Sequence, residues 1–371
     1  MLKDQLFNAQ KIGKLAQEIS AVYVDFKADL FQKEVLSRFP ELELKARIAW
    51  ISACLKAYLP DPYQQALAII LKALPPACDP TLTDDDFGEF IYAPYSHFVA
   101  EYGCSLEHLE ISLSAIERIT TRFSAEYAIR TFILHFPDHT LKYLKKWIQH
   151  PHYHVRRLVS EGTRPKLPWA QKIPYSSDVY LPLLDSLYKD STRFVTRSVA
   201  NHLNDVSKID PSAVLDRLSQ WKRQDLQSAK ELDFITKHSL RTLIKQGHIP
   251  TLTHLGLSPS AKITTTLQVH TPAFKIGEKL TFTVDIHSHE ACTLIVDYIL
   301  MFRRKDQKLS PKVFKLKTTH LKAGEPLKIT KTHPFPATLS TRTFYPGTHA
   351  IKLQINGRIF DEHFFELKEP T

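Results

Sequence analysis

Two hydrophobic periods divide the chain. As far as about Leu257, apolar residues recur three and four positions apart. "ELKARIAWISACLKAYL", "HTLKYLKKWIQH" and "DVYLPLLDSLYKD" each carry an apolar stripe, and Pro, Gly or Asp clusters separate such segments. That spacing predicts an all-α region. From Ala261 the period falls to two. "ITTTLQVHT", "KLTFTVDIHS", "CTLIVDYILMF", "VFKLKTTHL", "LKITKTHPF", "GTHAIKLQING" and "FDEHFFELK" are short, Thr-rich or β-branched runs between turn residues. Seven candidate strands of this kind predict an immunoglobulin-like β-sandwich. The stretch "GLSPSA", Gly256 to Ala261, has the composition of a linker, so the expected domains are 1–257 and 258–371.

The helical region contains an internal echo. Laying "HVRRLVSEG" over "FVTRSVANH" at an offset of 40 puts Val155 over Val195, Arg157 over Arg197, Val159 over Val199 and Glu161 over Asn201. A weaker third copy is "SLRTLIKQG", around Arg241. Copies about 40 residues long fit helical pairs that stack on their neighbours. The expected fold is therefore an all-α HEAT-like helical-repeat solenoid followed by an all-β immunoglobulin-like sandwich. Second helices of such pairs line a concave groove, which would place Glu161 and Asn201 at equivalent positions along it.

Composition and charge refine this picture. The 371 residues, 43% hydrophobic and 24% charged, suit two globular domains, and no apolar run reaches the length of a bilayer crossing. The N-terminus "MLKDQLFNAQKIGKL" lacks a signal-peptide core, so a cytoplasmic protein without a membrane partner is expected. Cys54, Cys78, Cys104 and Cys292 lie far apart and read as single thiols rather than a disulfide framework or a zinc finger. The net charge of +10 points to an anionic partner such as nucleic acid. From Ser258 onward 17 Lys and Arg face 10 Asp and Glu, so +7 of the +10 belongs to the β region. Arg303, Arg304, Lys305 and Lys308 cluster between two expected strands, where they suit either a DNA backbone or a merely solvated hairpin.

Candidate chemistry is sparse. His150, His152 and His154 form an HxHxH pattern, but Pro151 interrupts it at a helix start, where alternate side chains do not converge; no metal is expected there. No HExxH, GxSxG, Walker-type or GxGxxG pattern occurs. Glu126 in "FSAEYAIRTFI" is expected on a helix four residues before Arg130, the spacing of a surface ion pair. Arg157 and Glu161 share a helix face in the same way. Gly162 is a natural stop, followed by a Pro-bracketed loop carrying Arg164 and Trp169. Spacing alone leaves two readings of these carboxylates: ion pairs on a scaffold, or charges facing a groove.

The runs "SAEYAIRTFI", "HVRRLVSEGTRPKLPWA" and "SVANHLNDVSK" resemble the AlkC family of bacterial DNA alkylation repair glycosylases, some of which carry a C-terminal immunoglobulin-like domain. The similarity covers most of residues 1 to 250, including "LKDQLFN" and "LELKAR". It departs at Thr131, where a proline is usual, at Lys166, where arginine is commoner, and at Thr196, where a second arginine is usual. The resemblance implies base excision repair: hydrolysis of the N-glycosidic bond of 3-methyladenine and 3-methylcytosine in duplex DNA, by a monomer, without metal or organic cofactor. Glycosylases generally flip the target base out of the stack; the resemblance implies a family that bends DNA and exposes the lesion while leaving it largely stacked, and the sequence leaves both modes open. A base alkylated on a ring nitrogen is cationic and already a good leaving group. The need is then for negative charge near C1′, where oxocarbenium character develops.

By the same resemblance Glu161 and Glu126 are the catalytic carboxylates and Trp169 packs on the sugar or lesion, with cation–π attraction to the charged base. Arg157, Arg164 and Arg197 contact backbone phosphates, with Asn201 and Asp205 nearby, and Arg303, Arg304 and Lys305 reach the duplex from the β domain. The rival reading is a non-enzymatic HEAT-repeat scaffold that binds DNA or protein with the same groove.

Overall fold

The computed structural model describes residues 2–84, 86–339 and 342–370. The chain divides into two compact units, residues 1–239 and 240–371. Among the described residues the first unit is helical. It opens with α1 (Leu2–Leu6), α2 (Ala9–Ser20), α3 (Ala28–Ser37), α4 (Leu44–Tyr58) and α5 (Tyr63–Lys72). After a long loop come α6 (Ala93–Gly103), α7 (Leu109–Thr120), α8 (Ala128–His135), α9 (Pro137–Trp147) and α10 (Tyr153–Gly162). A second long loop leads to α11 (Ser177–Leu187), α12 (Arg193–Val206), α13 (Pro211–Gln224) and α14 (Ala229–Lys245). The three segments singled out by their apolar stripes become α4, α9 and α11.

The helices form where the pattern lets them bury one face. In α2 the buried positions are Ile12, Leu15, Ala16 and Ile19, spaced three, one and three apart, and Asn8 caps the helix by accepting from the Lys11 amide at 3.0 Å. Asp210 does the same for α13 through the Ala213 amide. Helix α10 packs against α12, and this pairing carries the candidate site.

The second unit takes in the end of α14, the short α15 (Ile249–His254) and the sandwich, so the division falls ahead of the "GLSPSA" linker. Within this unit Asn356 donates to the Ser258 carbonyl at 2.9 Å and Gln354 to the Lys245 carbonyl at 3.3 Å, tying the linker and helix end to the sandwich. The strands are β1 (Ile263–Val269), β2 (Ala273–Lys275), β3 (Lys279–Ser288), β4 (Cys292–Arg303), β5 (Leu309–Leu321), β6 (Pro326–Pro334), β7 (Gly347–Ile355) and β8 (Arg358–Lys368). All seven expected runs are strands. The additional one, β2, is three residues pairing in parallel with β8, too short for any alternation to register.

One sheet has the order β1-β3-β6 and the other β2-β8-β7-β4-β5. Leu280, Phe282, Val284 and Ile286 of β3 alternate into a core shared with Leu294, Val296 and Leu300 of β4 and Leu353 and Phe365 of the same sheet. The edge strand β5 carries Pro311, Lys312, Lys315 and Lys317, residues that discourage a further strand from pairing there.

Gly162 ends α10 as the sequence suggests, but its backbone is not left-handed; the C-cap Thr163 follows at φ −96°. The glycine is there for space. A Cβ at this position would sit 2.5 Å from Cγ2 of the fully buried Ile129. In mid-α2, by contrast, a Cβ on Gly13 would meet nothing closer than Gln32 at 3.4 Å. Gly162→Ala should therefore destabilise by about 1–3 kcal/mol through overpacking, whereas Gly13→Ala should stabilise by about 0.5–1 kcal/mol through helix propensity. Urea denaturation midpoints of the two variants check both signs; a stabilised Gly162→Ala would contradict the packing account.

Candidate active site

Two helix faces meet here. On α12, Phe194, Ser198, His202 and Asp205 are spaced four, four and three apart and so form one stripe. Opposite it stand Arg157, Ser160 and Glu161 of α10, with Arg164 just beyond the helix end. The carboxylate of Glu161, only 4% exposed, accepts from Arg164 Nη1 on Oε1 at 2.6 Å and from the Ser198 hydroxyl on Oε2 at 2.6 Å. Arg164 Nε donates to Asp205 Oδ2 at 2.9 Å, and Lys208 Nζ lies 3.1 Å from Asp205 Oδ1. His202 Nδ1 reaches the Ser160 carbonyl at 3.0 Å.

Arg157 joins the two sequence-predicted glutamates. Its Nη1 is 3.0 Å from Glu126 Oε2 and its Nη2 is 3.7 Å from Glu161 Oε2, while its guanidinium stacks 4.6 Å above the Phe194 ring. Glu126 does not lie on a helix, contrary to expectation. It sits in the turn before α8, held by Ser124, whose hydroxyl donates to Glu126 Oε2 at 2.8 Å. Nor does it pair with Arg130. The Arg130 guanidinium is buried and turned toward the α10–α11 loop, donating to the carbonyls of Gly162, Arg164 and Gln171 at 2.8, 2.9 and 2.6 Å.

That clamp shapes the loop from Thr163 to Ser176. Leu167 is buried while Trp169 is 74% exposed, with φ at +62°, so Trp169 is not a core anchor. Lys45 donates to its carbonyl, and the Tyr127 hydroxyl lies 3.4 Å from the Pro168 carbonyl. Lys45 Nζ also stands 5.8 Å from the Tyr127 ring. Trp169 and the half-exposed Tyr127 thus offer two aromatic surfaces on neighbouring segments.

The other expected residues are placed as follows. Arg197 pairs with Asp84, and Asn201 Oδ1 meets His238 Nε2 at 2.9 Å rather than joining Glu161. Hence the guanidinia of Arg157, Arg164 and Arg197, expected at phosphates, all face carboxylates of the protein. Arg303 ends β4, and Arg304 and Lys305 stand exposed in the β4–β5 turn of the other unit, which is closed by a hydrogen bond from the Arg304 amide to the Lys308 carbonyl at 2.9 Å. His150 and His152 shape the start of α10, their Nδ1 atoms accepting from the amides of His152 and His154.

Comparison with known proteins gives this geometry a context. A model for a DNA alkylation repair enzyme matches residues 92–232, and one for the C-terminal immunoglobulin-like domain of YhaZ matches residues 263–369. The uncharacterised protein YhaZ of Bacillus subtilis (strain 168) is 32% identical over 368 residues, 98% of each chain. The Pseudomonas fluorescens alkylpurine DNA glycosylase AlkC, solved bound to DNA containing an abasic site analog, superposes with a TM-score of 0.87 and 31% identity over 99% of each chain. The chain belongs to the AlkC family of DNA alkylation repair glycosylases. Its sandwich is the immunoglobulin-like domain that some AlkC proteins carry.

In this AlkC family member the sequence missed Ser198, Ser124 and Tyr127, and it gave Arg130 the wrong partner. The stripe from Phe194 to Asp205 was the available signal for Ser198, since polar residues at helical spacing between apolar ones need buried partners. Burial works against the charge on Glu161, but the cations of Arg157 and Arg164 and the hydrogen bonds from Ser198 and Arg164 outweigh it and hold the carboxyl below its ordinary range. Burial, then the negative charges of Glu126 and Glu161, push the Tyr127 phenol up. Among the described residues no helix is long and apolar enough to cross a membrane.

Because the folded pKa of Glu161 is lowered, its stabilisation is fully present above the unfolded carboxylate range and is lost as pH falls through the folded value. Ser198→Ala removes a donor to that charge. The variant should lose about 2 kcal/mol, and its acid unfolding should begin at higher pH than in the wild type. Chemical denaturation between pH 3 and 7 measures both, and an unshifted acid limb would show that Ser198 does not support the ionised form.

Proposed function

We propose that the protein is a DNA glycosylase that hydrolyses the N-glycosidic bond of cationic alkylated bases, 3-methyladenine and 3-methylcytosine, in duplex DNA. The observation that carries this reading is a buried, ionised Glu161 linked through Arg157 to Glu126. It stands in a chain that matches an alkylpurine DNA glycosylase from end to end. We read the helical unit as a HEAT-like repeat whose groove takes the duplex, the whole acting as a monomer.

The chemistry follows from the charges. As the bond from C1′ to the base breaks, the base carries its electron pair away and leaves neutral, and the positive charge moves to the sugar. A fixed carboxylate nearby lowers the energy of that oxocarbenium ion. Water then adds to C1′ and gives up a proton. In this scheme Glu161 is the fixed charge, since both its oxygens are held. Glu126 takes both its protein contacts on Oε2, and Oε1 is then the atom to orient the water and receive its proton. Arg157 positions both carboxylates.

Trp169 and Tyr127 would flank the sugar or lesion, where an exposed ring face attracts a cationic base. In this reading Arg197 and Arg164 exchange or share their protein partners with phosphates when DNA binds. Arg303, Arg304 and Lys305 add sequence-independent phosphate contacts from the β4–β5 turn.

Single-turnover release of 3-methyladenine from methylated duplex DNA tests the reading. Glu161→Gln should bind abasic-site DNA as the wild type does yet excise at least about 10²-fold more slowly, and Glu126→Gln should also slow excision while sparing binding. A wild type that releases no base at all would hand the argument to the scaffold reading. Separately, joint replacement of Arg304 and Lys305 by Ala should flatten the dependence of log affinity on log salt by about two units, near 0.9 per phosphate lost. An unchanged slope would remove the turn from the interface.

A further inference from the structure

A second cluster of chemistry-bearing side chains uses none of the residues assigned to the reaction above, although its histidine closes the HxHxH run and its cysteine is one of the four single thiols. Cys78 and Asp86 lie on the loop between α5 and α6, and His154 is in the first turn of α10; one ligand atom from each falls within 4.8 Å of the other two. In sequence they are scattered, so no motif announces them.

His154 points to a ligand. It is 3% exposed, and its Nδ1 lies 3.1 Å from the Thr120 carbonyl. A carbonyl has no proton to give, so Nδ1 is the donor and Nε2 keeps its lone pair. Nε2 is buried without a hydrogen-bond partner. A backbone carbonyl that fixes the tautomer while the other nitrogen waits unpaired is the arrangement found behind metal-binding imidazoles. Asp86 is oriented by the Gly88 amide, which donates to its Oδ1 at 3.1 Å.

We propose that Cys78, Asp86 and His154 form a site for one divalent cation, with Zn2+ the best match to a thiolate, a carboxylate and an imidazole and a fourth position left for water. On binding, the Cys78 S–H bond breaks, a sulfur–metal bond forms and the proton leaves to solvent. An ordinary cysteine thiol is protonated at neutral pH, so the proton is present to be released.

The consequence is structural. The loop is already tied at both ends to one turn, through Cys78 N to the Thr121 carbonyl at 2.9 Å and Glu89 N to the Arg122 carbonyl at 3.0 Å. Its middle supports α12: the Thr83 carbonyl accepts from Phe194 N at 3.0 Å, Asp84 pairs with Arg197, and the Phe87 ring packs edge-on to Phe194 at 5.2 Å. Phe194 in turn carries the Arg157 guanidinium. A cation joining this loop to α10 therefore stiffens the support beneath the arginine that bridges Glu126 and Glu161.

The test needs no glycosylase activity and is independent of the function proposed above. Untagged full-length protein is stripped with EDTA and titrated with Co2+. One equivalent should bind with a near-ultraviolet thiolate-to-cobalt charge-transfer band and the visible bands of four-coordinate cobalt. Zn2+ should displace it, one proton should be released per metal, and the melting temperature should rise. Cys78→Ser, with Cys54, Cys104 and Cys292 intact, should lose the band. Absence of the band in the wild type, or its persistence in Cys78→Ser, overturns the proposal. Should Cys78→Ser not fold, Asp86→Asn decides the matter: affinity at least about tenfold weaker supports the site, and unchanged affinity sinks it.

Discussion

The pairing of α10 with α12 depends on two carboxylates taken out of water. Glu161 and Asp205 are both nearly inaccessible, and an unpaired charge in such a position costs several kcal/mol. One planar guanidinium serves both, because the donors of Arg164 diverge enough to bond Glu161 with Nη1 and Asp205 with Nε. That geometry fixes the register of the two helices. It sets Ser198 against Glu161, His202 against the Ser160 carbonyl and Phe194 beneath Arg157. A hydrophobic pair of helices could slide by part of a turn at little cost; this pair cannot without stranding a charge.

What could be read from the sequence follows from which forces are local. The strands were legible because burial alternates along β3, Thr283 apart, and at both ends of β4, whose middle from Val296 to Leu300 is buried throughout, and a period of two survives later packing. The stripes of α4, α9 and α11 were legible for the same reason at a longer period. Glu126 was misplaced on a helix because its apolar neighbours Ala125, Ala128 and Ile129 carry the helical pattern; a hydroxyl at Ser124 and a guanidinium 31 positions away in Arg157 hold it in the turn instead. Distant partners are invisible to spacing. Arg164 and Asp205 are 41 positions apart, and nothing in either segment names the other. The internal echo did find two neighbouring helices, yet equivalence in sequence is not contact in space. Asn201 turns to His238, and Ser198, three positions earlier, meets Glu161.

The loop after α10 shows how rigid support keeps a costly conformation. A tryptophan at φ +62° occupies a region that bulky side chains rarely visit, and such strain persists only where the surroundings over-determine it. Here Pro165 and Pro168 limit the backbone, Leu167 is buried, Lys45 holds the Trp169 carbonyl, and Arg130 binds from within the carbonyl at the end of α10 and two more in the loop. Arg130 thus explains why the expected pair with Glu126 is absent. Its guanidinium is spent on the loop, and Glu126 is left for Arg157.

The same electrostatics bear on which substrates the proposed reaction would take. Expelling a neutral purine calls for a proton on the leaving base, hence for a general acid near it. Glu161 is held ionised by Arg157, Arg164 and Ser198 and has no proton to give. The Tyr127 phenol, pushed up by burial and by both glutamates, is a poorer donor than a free tyrosine. A base that already carries positive charge through alkylation needs no such proton, and its charge is drawn to the same carboxylates that later face the sugar. Under the proposed function, selection for cationic lesions would then come from an acid that the site withholds as much as from any contact with the methyl group.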